Sequence, residues 1–204
     1  MKAVKLLLAS ILLICGFSFA DSFKDSRDGK VYKTVKIGNQ TWLAQNLNFK
    51  AVGSVCNLDG DANLNCENGR FYPYDVALRA CPAGWHLPSL EELQAFRDLV
   101  FANSKENDAA RIGSLMKTKT GWKHKEGIPE GSDFYGFSSY PAGVIMGTTK
   151  IQMIGETSDY WSSSTKDSDP KHAVTWGFHW EDERFGIWES DKKMCYHTVR
   201  CLKN

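Results

Sequence analysis

Alternation of apolar and polar positions marks the two ends of the chain, and a helical period marks its middle. In "VYKTVKIGNQTWLAQNL" one side carries Val31, Lys33, Val35 and Ile37, the other Tyr32, Thr34 and Lys36. Gly38-Asn39 is a strong turn signal, so "QTWLAQNL" reads as the returning strand of a hairpin. "GRFYPYDVALRACP" starts extended and predicts a short helix near Asp75 that ends before Pro82. The next helix has a clear start. Ser89 and Glu92 form an S-x-x-E capping box behind Pro88, and Leu90, Leu93, Phe96, Leu99 and Val100 follow as an apolar stripe. A further helical turn is expected over Ala109 to Met116. The segment "EGIPEGSDFYGFSSYPAGV" is dense in Gly, Pro and Ser and predicts an organised irregular region.

Beyond it the two-residue period returns. "HAVTWGFHW" sets Val174, Trp176, Phe178 and Trp180 on one face, "EDER" turns, and "RFGIWES" returns with Phe185 and Ile187. "MCYHTVRCL" closes the chain with Cys195, His197, Val199 and Cys201 on one side. Strands, two main helices, long irregular loops and more strands predict an α+β fold with an antiparallel sheet.

The first twenty residues change where the chain is expected to work. Lys2 and Lys5 precede the mostly apolar run Leu6 to Phe17, and Ser18-Phe19-Ala20 fits a small-x-small cleavage pattern. Residues 1–20 are expected to be a signal peptide, with 21–204 a single domain exported from a bacterium to the periplasm, the medium or the cell surface. Ile14 stands where a lipidated cysteine at position 15 needs a small residue, which favours an ordinary secretory signal. Loss of Lys2 and Lys5 takes the formal charge from +1 to about −1. That balance, without basic blocks, argues against nucleic acid and anionic membrane as partners. No later stretch is apolar enough to span a bilayer.

Export permits disulfides. Cys56 and Cys66 flank the polar "NLDGDANLN" and are expected to close it as a local loop. Cys81 and Cys201 would staple the start of the fold to its end, contributing on the order of 4–5 kcal/mol in the chain-entropy model. Cys195 is then left unpaired.

Several residue groups invite a chemical reading. His86 lies near Glu91 and Glu92, but the capping box accounts for Glu92, and Glu91 at a helix start favours the macrodipole, so scaffold is the preferred reading. Asp59, Asp61, Asn63 and Asn65 resemble the opening of a calcium loop, yet Leu64 and Arg70 stand where its Gly and Glu belong. Glu181-Asp182-Glu183 reads as a charged hairpin tip. No H-E-x-x-H, paired-cysteine zinc pattern or G-x-S-x-G occurs. The expectation is no metal, no cofactor and no catalytic residue.

Seven tryptophans remain to be explained. Trp176 and Trp180 share a stripe with Val174 and Phe178 and read as core. Trp122 and Trp188 lie in polar surroundings and, with Tyr135 and Trp161, are the residues expected to meet a ligand. An aromatic face stacks on the apolar face of a sugar.

"DSRDGKVYKTVKIGNQTWLAQNLNF", "GRFYPYDVALRACPAGWHLPSLEEL", "DFYGFSSYPAG", "YWSSS" and "VRCLKN" resemble, in order, the Fibrobacter succinogenes major paralogous domain family. The resemblance runs from about Asp25 to Asn204 and implies a relative of the C-type-lectin-like fold. It implies exported bacterial proteins, often expanded in polysaccharide degraders, without an assigned activity. "GWHLPSLEEL" and "VRC" are also similar to formylglycine-generating enzymes, whose paired cysteines hold copper; Cys195 has no counterpart there. The calcium motifs of sugar-binding C-type lectins are missing from the sequence. The leading expectation is a non-catalytic binding module for a polysaccharide or a surface protein, using the irregular region Trp122 to Trp161 and the hairpin Trp180 to Trp188. The rivals are an oxidase using Cys195 and a structural component of an envelope or secretion assembly.

Overall fold

The structure, a computed structural model, describes residues 21–56, 66–103, 112–147, 150–166 and 168–204. The expected signal peptide and the calcium-like "DGDANLN" lie outside the described residues.

Most of the described secondary structure is antiparallel strand. The first sheet is ordered β1-β2-β3-β11-β5, from Ser22–Lys24, Val31–Ile37, Gln40–Leu43, Leu202–Lys203 and Trp85–His86. The hairpin joining β2 to β3 turns at Gly38, whose φ of +61° suits glycine, and Val35 pairs with Trp42. A second sheet, β4-β10-β6, uses Tyr72–Pro73, Cys195–His197 and Ile145–Met146. The third, β7-β8-β9, is built from Thr157–Lys166, Asp169–His179 and Gly186–Asp191.

The described residues hold few α-helices: α1 (Tyr74–Ala77), α2 (Leu90–Asn103) and α3 (Ile112–Met116). The sequence led us to expect two main helices, and only α2 is one. α1 stops after four residues and passes into turns, the Arg79 N–H donating to Val76 O and the Ala80 N–H to Ala77 O, before the chain reaches Cys81 and Pro82. α2 begins as its capping box requires. The Ser89 N–H donates to Glu92 Oε2 at 2.8 Å, and the Glu92 N–H donates to Ser89 Oγ at 3.3 Å. The triple serine of "YWSSS" contributes as well. The register of β7 slips between Trp161 and Thr165, and there Ser164 Oγ accepts the Leu90 N–H at 2.9 Å while the Ser163 N–H donates to Pro88 O. Those serines hold the helix start.

Two apolar cores lie on opposite faces of the first sheet. Strict alternation along β2 is kept, but both faces bury residues: Tyr32 joins one core and Ile37, with half-buried Val35, the other, while Val31 is exposed. The first core gathers Tyr32, Leu43, Leu47, Tyr72, Trp85 and Trp161. The second gathers Trp42, Leu93, Phe96, Phe137, Tyr160 and Trp176. The neighbours Tyr160 and Trp161 thus serve different cores, as adjacent strand residues must. The disulfide Cys81–Cys201 crosses 120 residues of sequence beside the first core, and Cys56–Cys66 closes the local loop. Cys195 is a free thiol, buried in the first core.

Arg200 sits fully buried between these layers, with neutral acceptors around its guanidinium. It donates to Phe137 O at 2.6 Å, Asn46 Oδ1 at 2.7 Å, Leu43 O and Ser138 O at 3.2 Å, and Tyr160 Oη at 3.3 Å. Burial pushes its pKa down. Through Phe137 and Ser138 it secures the irregular segment that leads into the loop face.

Candidate functional site: an aromatic, lysine-lined cleft

The loop after α3 folds back on itself. The Asp133 N–H donates to Lys117 O, and Gly131 packs so close to the Thr118 carbonyl that a Cβ would lie 2.1 Å from its oxygen. The outer part of the loop is tied down by the Lys123 N–H donating to Gly155 O at 2.7 Å. Between this loop and the end of β8 opens a cleft of about 80 Å³, with Trp122 and Trp180 as its aromatic walls and Lys119, Lys123 and Lys125 around them.

Lys117 stands at the inner end. Its Nζ donates to His179 O at 2.5 Å and Asp182 O at 2.6 Å, and lies 4.8 Å from the centre of the Trp122 ring. Burial pushes its pKa down to about 8, although Asp182 and Glu183 pull the other way. The ammonium therefore joins the loop to the β8–β9 turn and props the indole. Trp122 is fixed by its own N–H, which donates to Ser139 O at 3.3 Å. Trp180 is anchored through its backbone N–H to Glu156 O, with Lys125 Nζ 5.9 Å from its ring. Of the rim cations, Lys123 pairs with Glu156, and His124 Nδ1 is 3.8 Å from Glu130. Lys119 has no ion pair among the described residues. The arrangement can stack a flat apolar surface against indole and offer ammonium groups to oxygens beside it.

The four residues expected to meet a ligand are not brought together. Trp122 lines the cleft. Trp161 is a correction: it is 0% exposed, lies edge-on to Tyr74 and His197, and its indole donates to Tyr72 O at 2.7 Å. It lies on β7, an edge strand of its sheet, on the face that turns into the first core and away from solvent. Tyr135 is half-buried against the second core and edge-on to Phe134. Trp188 is half-buried over Gly186 and edge-on to His179, sharing the face of Thr175 with which it pairs. Trp180, which the apolar stripe suggested was core, is half-buried and takes the second aromatic place in the cleft. β8 ends at His179, so Trp180 leaves the stripe at the turn. Lys117 carries no sequence signal of its role, because its partners are carbonyls more than sixty residues away.

Other ionisable groups serve the scaffold. His86 bridges Glu92 Oε1 at 2.8 Å and Asn204 Oδ1 at 2.7 Å, tying the chain end to the start of α2. Asp159 is buried and accepts from Thr157 Oγ1 at 2.6 Å, and burial pushes its pKa up to about 7. His179 Nε2 lies 3.8 Å from it. Burial pushes the Cys195 thiol up, away from the reactive thiolate. Among the described residues no group of three His, Cys, Asp or Glu could hold a metal ion, and no helix is long and apolar enough to cross a membrane.

The family model of the Fibrobacter succinogenes major domain matches residues 35–203. The chain belongs to that family. The matched span opens in β2 and closes in β11, so the Fibrobacter succinogenes major domain includes the cleft, the Cys81–Cys201 staple and Arg200. Neither a curated protein nor a solved structure matches the chain.

Proposed function

We propose that this Fibrobacter succinogenes major domain is an exported, non-catalytic binding module for polysaccharide, built on a relative of the C-type-lectin-like fold. The observation that carries the reading is the cleft. Trp122 and Trp180 flank it, hydrogen bonds hold both in place, and lysines ring it. A shallow aromatic cleft suits a chain laid across the surface, with one ring or substituent engaged at a time. Loops held on a rigid scaffold are where binding residues concentrate. Export is supported by the two disulfides, which persist in oxidising compartments. The oxidase alternative is weakened by Cys195, whose thiol is buried and is the one free thiol among the described residues.

The test is affinity electrophoresis in gels carrying neutral or acidic polysaccharides, repeated with Trp122→Ala and Trp180→Ala. Retardation of the parent protein on at least one polysaccharide, lost in both variants, is expected. An unretarded parent protein, or variants retarded as strongly as the parent, would defeat the reading.

A further inference from the structure

A larger hollow lies elsewhere, on the first sheet. One face of that sheet carries Phe23, Tyr32, Thr34, Lys36, Thr41 and Leu43, as the pairings Phe23↔Tyr32, Thr34↔Leu43 and Lys36↔Thr41 require. Lys203 joins them through its pairing with Trp85. Half of this face, Tyr32 with Leu43, is sealed beneath Leu47, Tyr72 and Ala77 in the first core. The other half is left open by the described residues. It forms a groove of about 420 Å³ lined by Phe23, Trp85, Thr34, Thr41, Lys36 and Lys203, with Asp21 on its border. That volume falls within the roughly 300–1,000 Å³ of small-molecule sites, which the Trp122–Trp180 cleft does not reach.

The polar groups of the groove are uncommitted. Neither ammonium, of Lys36 or Lys203, makes an ion pair or hydrogen bond among the described residues, and neither hydroxyl, of Thr34 or Thr41, has a side-chain partner there. Thr34 is nonetheless 5% exposed, so its hydroxyl is set into the floor and not displayed on a flat surface. Half-buried Phe23 forms the aromatic wall, backed by buried Trp85 with ring centres 5.1 Å apart. Two cations outweigh the one carboxylate of Asp21, so the hollow favours an anion. An aromatic wall and two hydroxyls suit a polyhydroxylated ring, and two ammonium groups suit a charged substituent on it.

We propose that this groove is a second binding site, specific for an anionic sugar. The sugar ring packs against Phe23, which Trp85 backs, its carboxylate or sulfate is held between Lys36 and Lys203, and its hydroxyls bond Thr34, Thr41 and Asp21. The site is independent of the cleft reading, since the two share no lining residue.

The test is an NMR titration of the ¹⁵N-labelled protein with sodium glucuronate, glucose 6-sulfate and glucose. Saturable shifts at Thr34, Thr41 and Trp85 are expected with one or both anionic sugars, and the two arms tell carboxylate from sulfate. Glucose should bind at least about tenfold more weakly, and Lys36→Ala or Lys203→Ala should each weaken the anionic sugar about fivefold or more. Trp122→Ala should leave these shifts unchanged. The proposal is overturned if neither anionic sugar gives saturable shifts at these residues, if glucose binds equally well, or if the lysine variants bind like the parent. Loss of all sugar shifts in Trp122→Ala alone would also overturn it, while leaving the cleft reading standing. Failure of the Trp122 and Trp180 variants in the gel assay leaves this titration unaffected.

Discussion

Arg200→Met removes a buried guanidinium whose direct contacts are neutral acceptors and aromatic rings. Two of its hydrogen bonds are short, to Phe137 O at 2.6 Å and Asn46 Oδ1 at 2.7 Å, and three are longer. Its carbon lies 4.6 Å from the centre of the Phe137 ring. Hydrogen bonds from a charged donor contribute about 1.5–3 kcal/mol each, so the short pair alone represents roughly 3–6 kcal/mol. Methionine keeps much of the volume and removes the cost of burying a charge, which offsets part of that loss. It also leaves two short-range acceptors without a donor. The net expectation is a loss of about 3 kcal/mol, or roughly 6–12 °C in Tm for a domain of this size. Urea unfolding with the disulfides intact, followed by tryptophan fluorescence, measures it. Limited proteolysis should find new cleavage between Asp133 and Tyr140, where the anchored segment loosens. A variant as stable as the parent, or more so, would refute the reasoning by showing that desolvation of the guanidinium outweighs its hydrogen bonds.

Three further outcomes are expected on the scaffold. Replacing Cys81 and Cys201 together with Ser opens a loop of 120 residues and should cost on the order of 4–5 kcal/mol, read as a lower urea midpoint. Ser89→Ala removes the acceptor of the Glu92 N–H and should cost about 1 kcal/mol in the same assay. Asp159 retains its proton in the folded chain up to about pH 7, against 3.8 for an ordinary aspartate. Its stabilising contribution is therefore complete below pH 3.8 and is lost as pH rises through 7. Asp159→Asn should then raise the unfolding midpoint relative to the parent more at pH 8 than at pH 5. An equal shift at both values would show that the carboxyl ionises normally.

Family and local structure were legible because their signals act over a few residues. Ser89 and Glu92 satisfy each other's N–H groups three positions apart, and Gly38 supplies a turn that needs no distant partner. The cysteines were legible too, since the five after residue 20 leave few sensible pairings. Trp161 and Trp180 show the limit. Their sequence surroundings suggested a loop residue and a core residue, and the folded chain reverses the two, because burial depends on what is laid over each face. Period-two alternation states that Tyr32 and Ile37 face opposite ways, but not that both faces are covered. The partners of Lys117 and Arg200 are mostly carbonyls from distant strands and loops, groups every residue carries, so no pattern of side chains announces them. The sequence by itself determined the β2–β3 hairpin, the start of α2, the staples and the family. Only tertiary structure decided which tryptophans line the cleft and where a sheet face stays open, because both follow from contacts between segments far apart in the chain.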